Sequence, residues 1–263
     1  MSEGGNSLGA PSLNIVAPGV ALVSLERPQV LNALRPRDMI ALIDLFERLG
    51  TRDDVRSVVL TGSGRAFCAG GDLHELQRLS ERETHHYLSA YAALGDVMSR
   101  VRIPVIAALN GLTFGGGLEL ACMADIRVAE PTTTLCAADM PHGLVPTGGL
   151  TWRLPRLIGH GRASWMILSN ATVSADEAHR IGLCDLVAGD GAAVNASVEL
   201  AARLAGFPPG GVTATVQALR LSARATLSVS AAFEIDANRR LLSDEGTRQR
   251  LDAVLRRPES SGL

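Results

Sequence analysis

The chain has 263 residues with a formal net charge of -2, and 46% of its side chains are apolar. This is enough for one large or two small domains with a packed core. Aromatic residues make up only 3% of the sequence, so charge and composition both argue against nucleic acid as a main partner. All 25 basic residues are arginines, which excludes mechanisms that need a lysine amine, such as Schiff-base catalysis and Walker-A phosphate binding.

The N-terminal segment and the cysteines predict a cytoplasmic protein. Residues 1–12 have neither the basic nor the apolar segment of a secretory signal. No apolar run approaches the roughly 18 residues that would span a bilayer, so no membrane insertion is expected. The cysteines lack CxxC spacing and are expected to be buried free thiols in a reducing compartment; they are Cys68, Cys122, Cys136 and Cys184.

The first predicted elements alternate between strand and helix. Two short apolar runs, Leu13–Val16 and Val20–Leu25, flank a Pro-Gly pair and predict a hairpin. Pro36 opens a predicted helix with an apolar stripe that runs to Leu49. Val55–Thr61 has a nearly continuous apolar centre, which predicts a strand covered on both faces.

The same alternation continues along the chain. A predicted helix over Tyr87–Val101 precedes a buried strand, Val105–Leu109, and a further strand is predicted over Asp125–Ala129. The chain is expected to be mostly helical from Gly159 onward. This order predicts an α/β fold with a helical C-terminal section. We divide the chain into a flexible tail (1–12), an α/β core (13–190) and a helical region (191–263).

Two glycine-rich turns share one plan, in which a buried strand leads through glycines into a helix start. They are Arg65–Leu73, with Asp72 as the predicted N-cap, and Asn110–Leu120. Two backbone N–H groups that converge from such turns would form an oxyanion hole. For either turn alone, glycines that simply make a tight turn explain the pattern as well.

Glu119 distinguishes the second turn from an ordinary one. It lies in the first turn of an otherwise apolar helix, where a carboxylate either complements the helix dipole or has a chemical role. Both readings are open from the residues alone.

Four segments together resemble the crotonase (enoyl-CoA hydratase/isomerase) superfamily. The resemblance runs roughly from Ile15 to Leu186, and it implies a core of repeated ββα units and a helical C-terminal trimerisation region. Its segments, in family order, are LERPQVLNAL (25–34), VRSVVLTGSGRAFCAGGDL (55–73), IPVIAALNGLTFGGGLELACMADIRVA (103–129) and LVPTGGLTWRLPRLIG (144–159).

The resemblance implies an acyl-CoA site in which two backbone N–H groups stabilise a thioester enolate. These donors correspond to Gly71 and Gly116, and the segment from Arg27 to Leu34 would contact the adenine and pantetheine parts of CoA. The implied substrate-binding residues are Arg27, Leu31, Ala33, Ala69, Gly71, Asp72, Leu73, His74 and Gly116.

The resemblance also implies two catalytic carboxylates. Glu119 corresponds to the first glutamate of the family's hydratases. The second belongs to the pattern F-x-x-P-E-x-x-x-G-x-x-P, which corresponds to residues Leu135–Pro146, and Asp139 stands at its glutamate. Its side chain is shorter by one C–C bond, about 1.5 Å, and a misplacement of that size costs on the order of a hundredfold in rate unless the backbone compensates.

The resemblance thus implies a 2-enoyl-CoA hydratase that forms a homotrimer or a dimer of trimers. It needs no metal and no cofactor, since CoA is part of the substrate. The alternatives are a Δ3,Δ2-enoyl-CoA isomerase, another acyl-CoA reaction of the superfamily, and an acyl-CoA-binding paralogue with little turnover.

Overall fold

A computed structural model describes residues 9–255 and divides the chain into two compact units, one ending at Phe207 and one beginning at Pro208. Within that range ten strands occur, all in the first unit. In chain order they are β1 (Ser12–Ala17), β2 (Val20–Leu25), β3 (Ser57–Gly62), β4 (Ala66–Cys68), β5 (Val105–Leu109), β6 (Leu112–Phe114), β7 (Ile126–Ala129), β8 (Thr134–Cys136), β9 (Val173–Ser174) and β10 (Leu186–Val187).

Eleven α-helices lie in the same described range, eight of them in the first unit. They are α1 (Pro36–Leu49), α2 (Leu73–Leu76), α3 (Glu81–Arg100), α4 (Gly116–Met123), α5 (Leu150–Ile158), α6 (His160–Leu168), α7 (Ala175–Arg180), α8 (Ala193–Ala205), α9 (Pro209–Ser222), α10 (Leu227–Ser243) and α11 (Glu245–Leu255).

The strands form two sheets. The larger has the order β1-β2-β3-β5-β7-β10 and is parallel except for the β1–β2 hairpin, and the smaller has the order β4-β6-β8-β9 with β9 antiparallel. Every residue of β3 and β5 is buried, because α8 covers one face of the larger sheet and the main core covers the other. Parallel strands buried on both faces are expected to be continuously apolar.

The structure confirms the predicted hairpin, the helix Pro36–Leu49 and the strand Val105–Leu109. The predicted start of α3 at Tyr87 is wrong, because the helix begins six residues earlier at Glu81. There Ser80 and Glu83 form a capping box, with the Ser80 N–H donating to the Glu83 carboxylate at 2.8 Å. The helical part of the chain, predicted from Gly159 onward, begins earlier, because α5 starts at Leu150.

The limits of the predicted regions can be placed on this fold. Of the predicted tail, residues 1–8 lie outside the described residues, whereas Ser12 begins β1 and its hydroxyl donates to Glu26 at 2.7 Å. Helix α8, which the sequence-based division at residue 190 assigns to the helical region, packs on β3 and β5. The last eight residues, RRPESSGL, lie outside the described range.

Two predictions about the chain's surroundings can be compared with this structure. All four cysteines are buried free thiols, as predicted. In the described part of the chain, no helix is both long and apolar enough to cross a membrane.

Candidate active site

The smaller sheet brings the two glycine turns together. Strands β4 and β6 are parallel neighbours, so their carboxyl ends, which lead into the two turns, lie at the same edge. A Cβ atom added to Gly70 would lie 3.2 Å from the Gly116 backbone nitrogen, and Gly70 has a φ of +100°. The turns are therefore in direct contact, and glycine is what allows that approach.

Within the part of the chain that the structure describes, the backbone geometry points the N–H groups of Gly71 and Gly116 away from hydrogen-bond acceptors. Gly71 forms a parallel bridge with Leu34, in which the Leu34 N–H donates to Gly70 and the Asp72 N–H donates to Leu34. Because peptide directions alternate along an extended strand, the N–H of Gly71 points away from that bridge. Gly116 is the first residue of α4, where backbone N–H groups have no acceptor within the helix.

Two buried tyrosines of α3 pack behind these glycines. The Tyr87 hydroxyl donates to the Leu34 carbonyl at 2.9 Å and lies 3.0 Å from the Tyr91 hydroxyl. A Cβ atom on Gly71 would lie 3.0 Å from the Tyr87 hydroxyl, and one on Gly116 would overlap the Tyr91 hydroxyl. Burial raises the pKa values of both phenols, so both are neutral near pH 7.

Glu119 is held in the first turn of α4 with only 2% of its surface exposed. The Thr147 hydroxyl donates to its Oε2 atom at 3.1 Å. Burial, and then the nearby charge of Asp139, raise the pKa of Glu119 to about 7. A carboxyl group with this pKa can accept and return a proton near neutral pH.

Asp139 supplies the second carboxyl group. It precedes a 3-10 turn (Met140–His142), and its Oδ2 atom is buried without a hydrogen-bond partner among the described residues. Burial raises its pKa to about 6, although the charge of His142 opposes the rise. Buried oxygens are normally paired, so an unpaired one beside Glu119 fits a position where a ligand or water binds.

The backbone before Asp139 has an uncommon conformation. Ala138 has a φ of +63°, which residues other than glycine, asparagine and aspartate rarely adopt. Ala138 stands where the family pattern has proline, whose ring fixes φ near -65°. The chain therefore approaches its shortened acid along a different path from the one that the family pattern allows.

The implied CoA-binding residues lie side by side. The Arg27 guanidinium donates to Asp72 at 2.9 Å and to the Ala33 carbonyl at 2.6 Å, and the Ala69 N–H donates to the Leu31 carbonyl at 2.9 Å. The predicted N-cap at Asp72 is confirmed, since its carboxylate accepts from the Glu75 N–H. Leu73 and His74 are exposed on the short helix α2 that follows.

Sequence reasoning missed four residues that shape this site. Tyr87 and Tyr91 are four residues apart, a spacing that predicts a shared helix face but not what that face contacts. Asn32 is also buried, and its amide donates to the carbonyls of Ser63 and Ala66. Thr147 lies in one of the four segments that resemble the family, but the residues around it in the sequence do not indicate a contact with Glu119.

The described residues contain no group of three or more His, Cys, Asp or Glu side chains placed to hold a metal ion.

Comparison with known proteins shows which family this chain resembles. The family model described as enoyl-CoA hydratase/isomerase matches residues 16–257. The short-chain-enoyl-CoA hydratase of Clostridium acetobutylicum is 31% identical over 249 residues, which are 93% of this chain and 94% of that protein.

Solved structures give the same result for the fold. The enoyl-CoA hydratase from Bacillus anthracis superposes with a TM-score of 0.89 at 30% identity, covering 93% of this chain and 95% of that one. The enoyl-CoA hydratase from Polaromonas sp. JS666 has a TM-score of 0.89 at 29% identity, covering 94% and 97%. The α/β fold predicted from the sequence is thus the crotonase fold.

Proposed function

The chain belongs to the enoyl-CoA hydratase/isomerase family, and on that premise we propose that it is a hydratase that adds water across the 2,3 double bond of a 2-enoyl-CoA thioester. The observation that carries the proposal is the pair of carboxyl groups beside the two glycine turns. Glu119 and Asp139 both have pKa values raised to between about 6 and about 7, and one oxygen of Asp139 is buried without a partner in the described structure.

The proposed mechanism assigns one role to each group. The N–H groups of Gly71 and Gly116 bind the thioester oxygen and stabilise the negative charge that develops on it. Ionised Glu119 takes a proton from a water molecule as the water oxygen bonds to C3. Protonated Asp139 gives its proton to C2, so that the product is the 3-hydroxyacyl-CoA.

This assignment separates hydration from the alternatives within the family. An isomerase moves a proton between carbons and needs one carboxyl group, whereas hydration uses a base for water and an acid for C2. The retention of Glu119 in a fixed, buried position favours hydration. Its raised pKa also disfavours a paralogue that only binds acyl-CoA, because a buried carboxyl group is costly unless it has a role.

The test is incubation of the purified protein with crotonyl-CoA. We expect loss of the enoyl-thioester absorbance and a product heavier by one water molecule in mass spectrometry. Glu119→Gln, which keeps the shape but cannot accept a proton, is the matched control and should lose this activity. Conversion of a 3-enoyl-CoA to its 2-enoyl isomer without water addition would instead support an isomerase, and binding without turnover of either substrate would support a paralogue.

We also propose that the protein works in the cytoplasm as a homotrimer or a dimer of trimers, with no cofactor beyond the CoA of its substrate. The second unit supports self-association, since its helices expose large apolar side chains: Leu219, Leu227, Ile235, Leu242, Val254 and Leu255. The free thiols fit a reducing compartment. Light scattering on the purified protein should give three or six times the mass of one chain.

A further inference from the structure

Glu119 is contacted from outside its own helix by Thr147 and Gly148, which lie shortly before α5. The Thr147 hydroxyl donates to Oε2 of Glu119 at 3.1 Å, and the Thr147 backbone also lowers the pKa of this carboxyl group. Among the described residues, the side-chain hydrogen bond to Glu119 is made at Oε2 and not at Oε1. The two oxygens of Glu119 are therefore not equivalent.

The neighbouring residue shows that this contact is closely packed. Gly148 has a φ of +54°, and a Cβ atom there would lie 2.8 Å from Cβ and 2.9 Å from Oε2 of Glu119. A side chain at this position would push the segment off the carboxylate. The glycine allows the backbone to lie directly on Glu119, so the Thr147 hydroxyl is held at one oxygen.

We propose that Thr147 is a positioning residue for the hydration reaction: it holds Oε2 of Glu119 in place, so that Oε1 is the oxygen that binds the attacking water and takes its proton. The role of Oε1 toward the water rests on the proposed function, whereas the hydrogen bond between Thr147 and Oε2 does not. A carboxylate that is fixed at one oxygen loses the freedom to rotate, which keeps the other oxygen at a constant angle to the substrate.

The hydrogen bond also affects the charge state of Glu119. A donor to a carboxylate favours its ionised form, so Thr147 opposes the rise in pKa that burial and Asp139 cause. The other titratable groups whose charges act on Glu119, or on which its charge acts, are Cys68, Cys122, Tyr87 and Tyr91. Burial raises the pKa values of all four, so they stay neutral from pH 5 to 8. In that range the charge of Asp139 and the hydrogen bond from Thr147 act on the pKa of Glu119.

The variants that test this role are Thr147→Val, which keeps the shape and removes the donor, and Thr147→Ser, which restores the hydroxyl. For Thr147→Val we expect kcat to fall roughly tenfold to a hundredfold, as for loss of a hydrogen bond to a charged group, with KM nearly unchanged. The maximum of the kcat/KM profile should move to higher pH, because it lies between the pKa values of Glu119 and Asp139. Thr147→Ser should return both to near the original values.

The matched control is Thr151→Val, because Thr151 is exposed on α5, four residues further along. It should leave kcat and the pH profile unchanged. Equal losses in Thr147→Val and Thr147→Ser, or a profile that does not move, would overturn the proposal.

A titration without substrate separates this inference from the proposed function. Infrared difference spectra of the Glu119 carboxyl, identified by its absence in Glu119→Gln, should show a higher pKa in Thr147→Val than in the unchanged protein or Thr147→Ser. If that pKa stays the same, Thr147 does not act on Glu119, even if the protein is a hydratase. If it rises while no enoyl-CoA is hydrated by the unchanged protein, the contact is upheld and the hydratase assignment fails.

Discussion

The hydroxyl groups of Tyr87 and Tyr91 lie 3.0 Å apart, each against one of the two glycines assigned to the oxyanion hole. Tyr87 donates its only hydroxyl proton to the Leu34 carbonyl, so the Tyr91 hydroxyl is the donor between the two rings. The rings meet edge to face, with centroids 5.4 Å apart. Side chains of one helix, α3, thereby pack against both glycine turns.

The first prediction follows from this packing. Gly116→Ala places a Cβ atom on the Tyr91 hydroxyl and 2.9 Å from the ring carbon that bears it, so either the ring or the start of α4 must move. We expect a loss of stability of about 1–3 kcal/mol, typical of an overpacked core. We also expect at least a roughly hundredfold loss of hydration, as when an oxyanion-hole donor is misplaced.

The control for this variant is Gly161→Ala in α6. Gly161 is exposed, and a Cβ atom there meets nothing within 4 Å, so alanine should be neutral or stabilise by about 0.5–1 kcal/mol. Urea unfolding and crotonyl-CoA kinetics measure both effects. Full activity and unchanged stability in Gly116→Ala would show that close packing against Tyr91 does not fix the position of the Gly116 N–H.

The second prediction concerns stability and pH at Glu119. Its pKa is about 7 in the folded protein against 4.5 for the ordinary side chain. Folded protein therefore takes up a proton that the unfolded chain does not, as pH falls from about 8 to about 5. Stability should rise over this window and be lost again as pH rises through about 7.

Glu119→Gln removes this ionisation and the cost of the buried charge. At about 1.4 kcal/mol per pKa unit, the variant should be more stable than the unchanged protein by roughly 1–3 kcal/mol at pH 8, and by much less at pH 5. Urea unfolding at both pH values measures the difference. A Glu119→Gln protein that is less stable at pH 8 would show that the carboxylate is not desolvated.

The third prediction is the pH dependence of hydration. The base Glu119 must be ionised and the acid Asp139 protonated. Their pKa values of about 7 and about 6 place a single proton more often on Glu119, so the reactive form is the minor one of the singly protonated pair. We expect kcat/KM to pass through a narrow maximum between these values, falling on the acid side as Glu119 gains a proton and on the alkaline side as Asp139 loses one. The two limbs belong to the interacting pair. A rate that is constant from pH 5.5 to pH 8 would contradict both assigned roles.

Features contained in one stretch of sequence were predictable. The hairpin, α1 and the two glycine turns each follow from contiguous residues, and so does the first-turn position of Glu119. The contact between Thr147 and Glu119 joins residues 28 positions apart, and no local pattern encodes it. The sequence does contain the capping box of Ser80 and Glu83, which marks the true start of α3 at Glu81.

The backbone conformation next to Asp139 could not be predicted from the sequence either. The sequence shows that its side chain is one methylene shorter than the family's glutamate, but not how the backbone responds. The left-handed conformation of Ala138 is a tertiary outcome, because alanine has no local preference for it. The absence of proline at position 138 permits this conformation without predicting it.

The last prediction tests whether backbone and side chain have changed together at this point. Asp139→Glu alone should lower hydration, because the longer acid extends from a backbone adapted to the shorter one. Ala138→Pro alone should also lower it, since proline cannot adopt the φ of +63°. The double variant restores the proline and glutamate of the family pattern, and should be more active than the product of the two single effects. Values of kcat/KM for crotonyl-CoA complete the cycle, with Asp139→Ala measuring the loss when no acid is present.

Single effects that simply multiply would mean that the turn and the side-chain length are independent, and a gain in Asp139→Glu alone would mark Asp139 as a degraded acid. If Asp139→Ala keeps full turnover, C2 receives its proton from another group, and a mechanism with Glu119 as the single carboxylate replaces the one proposed.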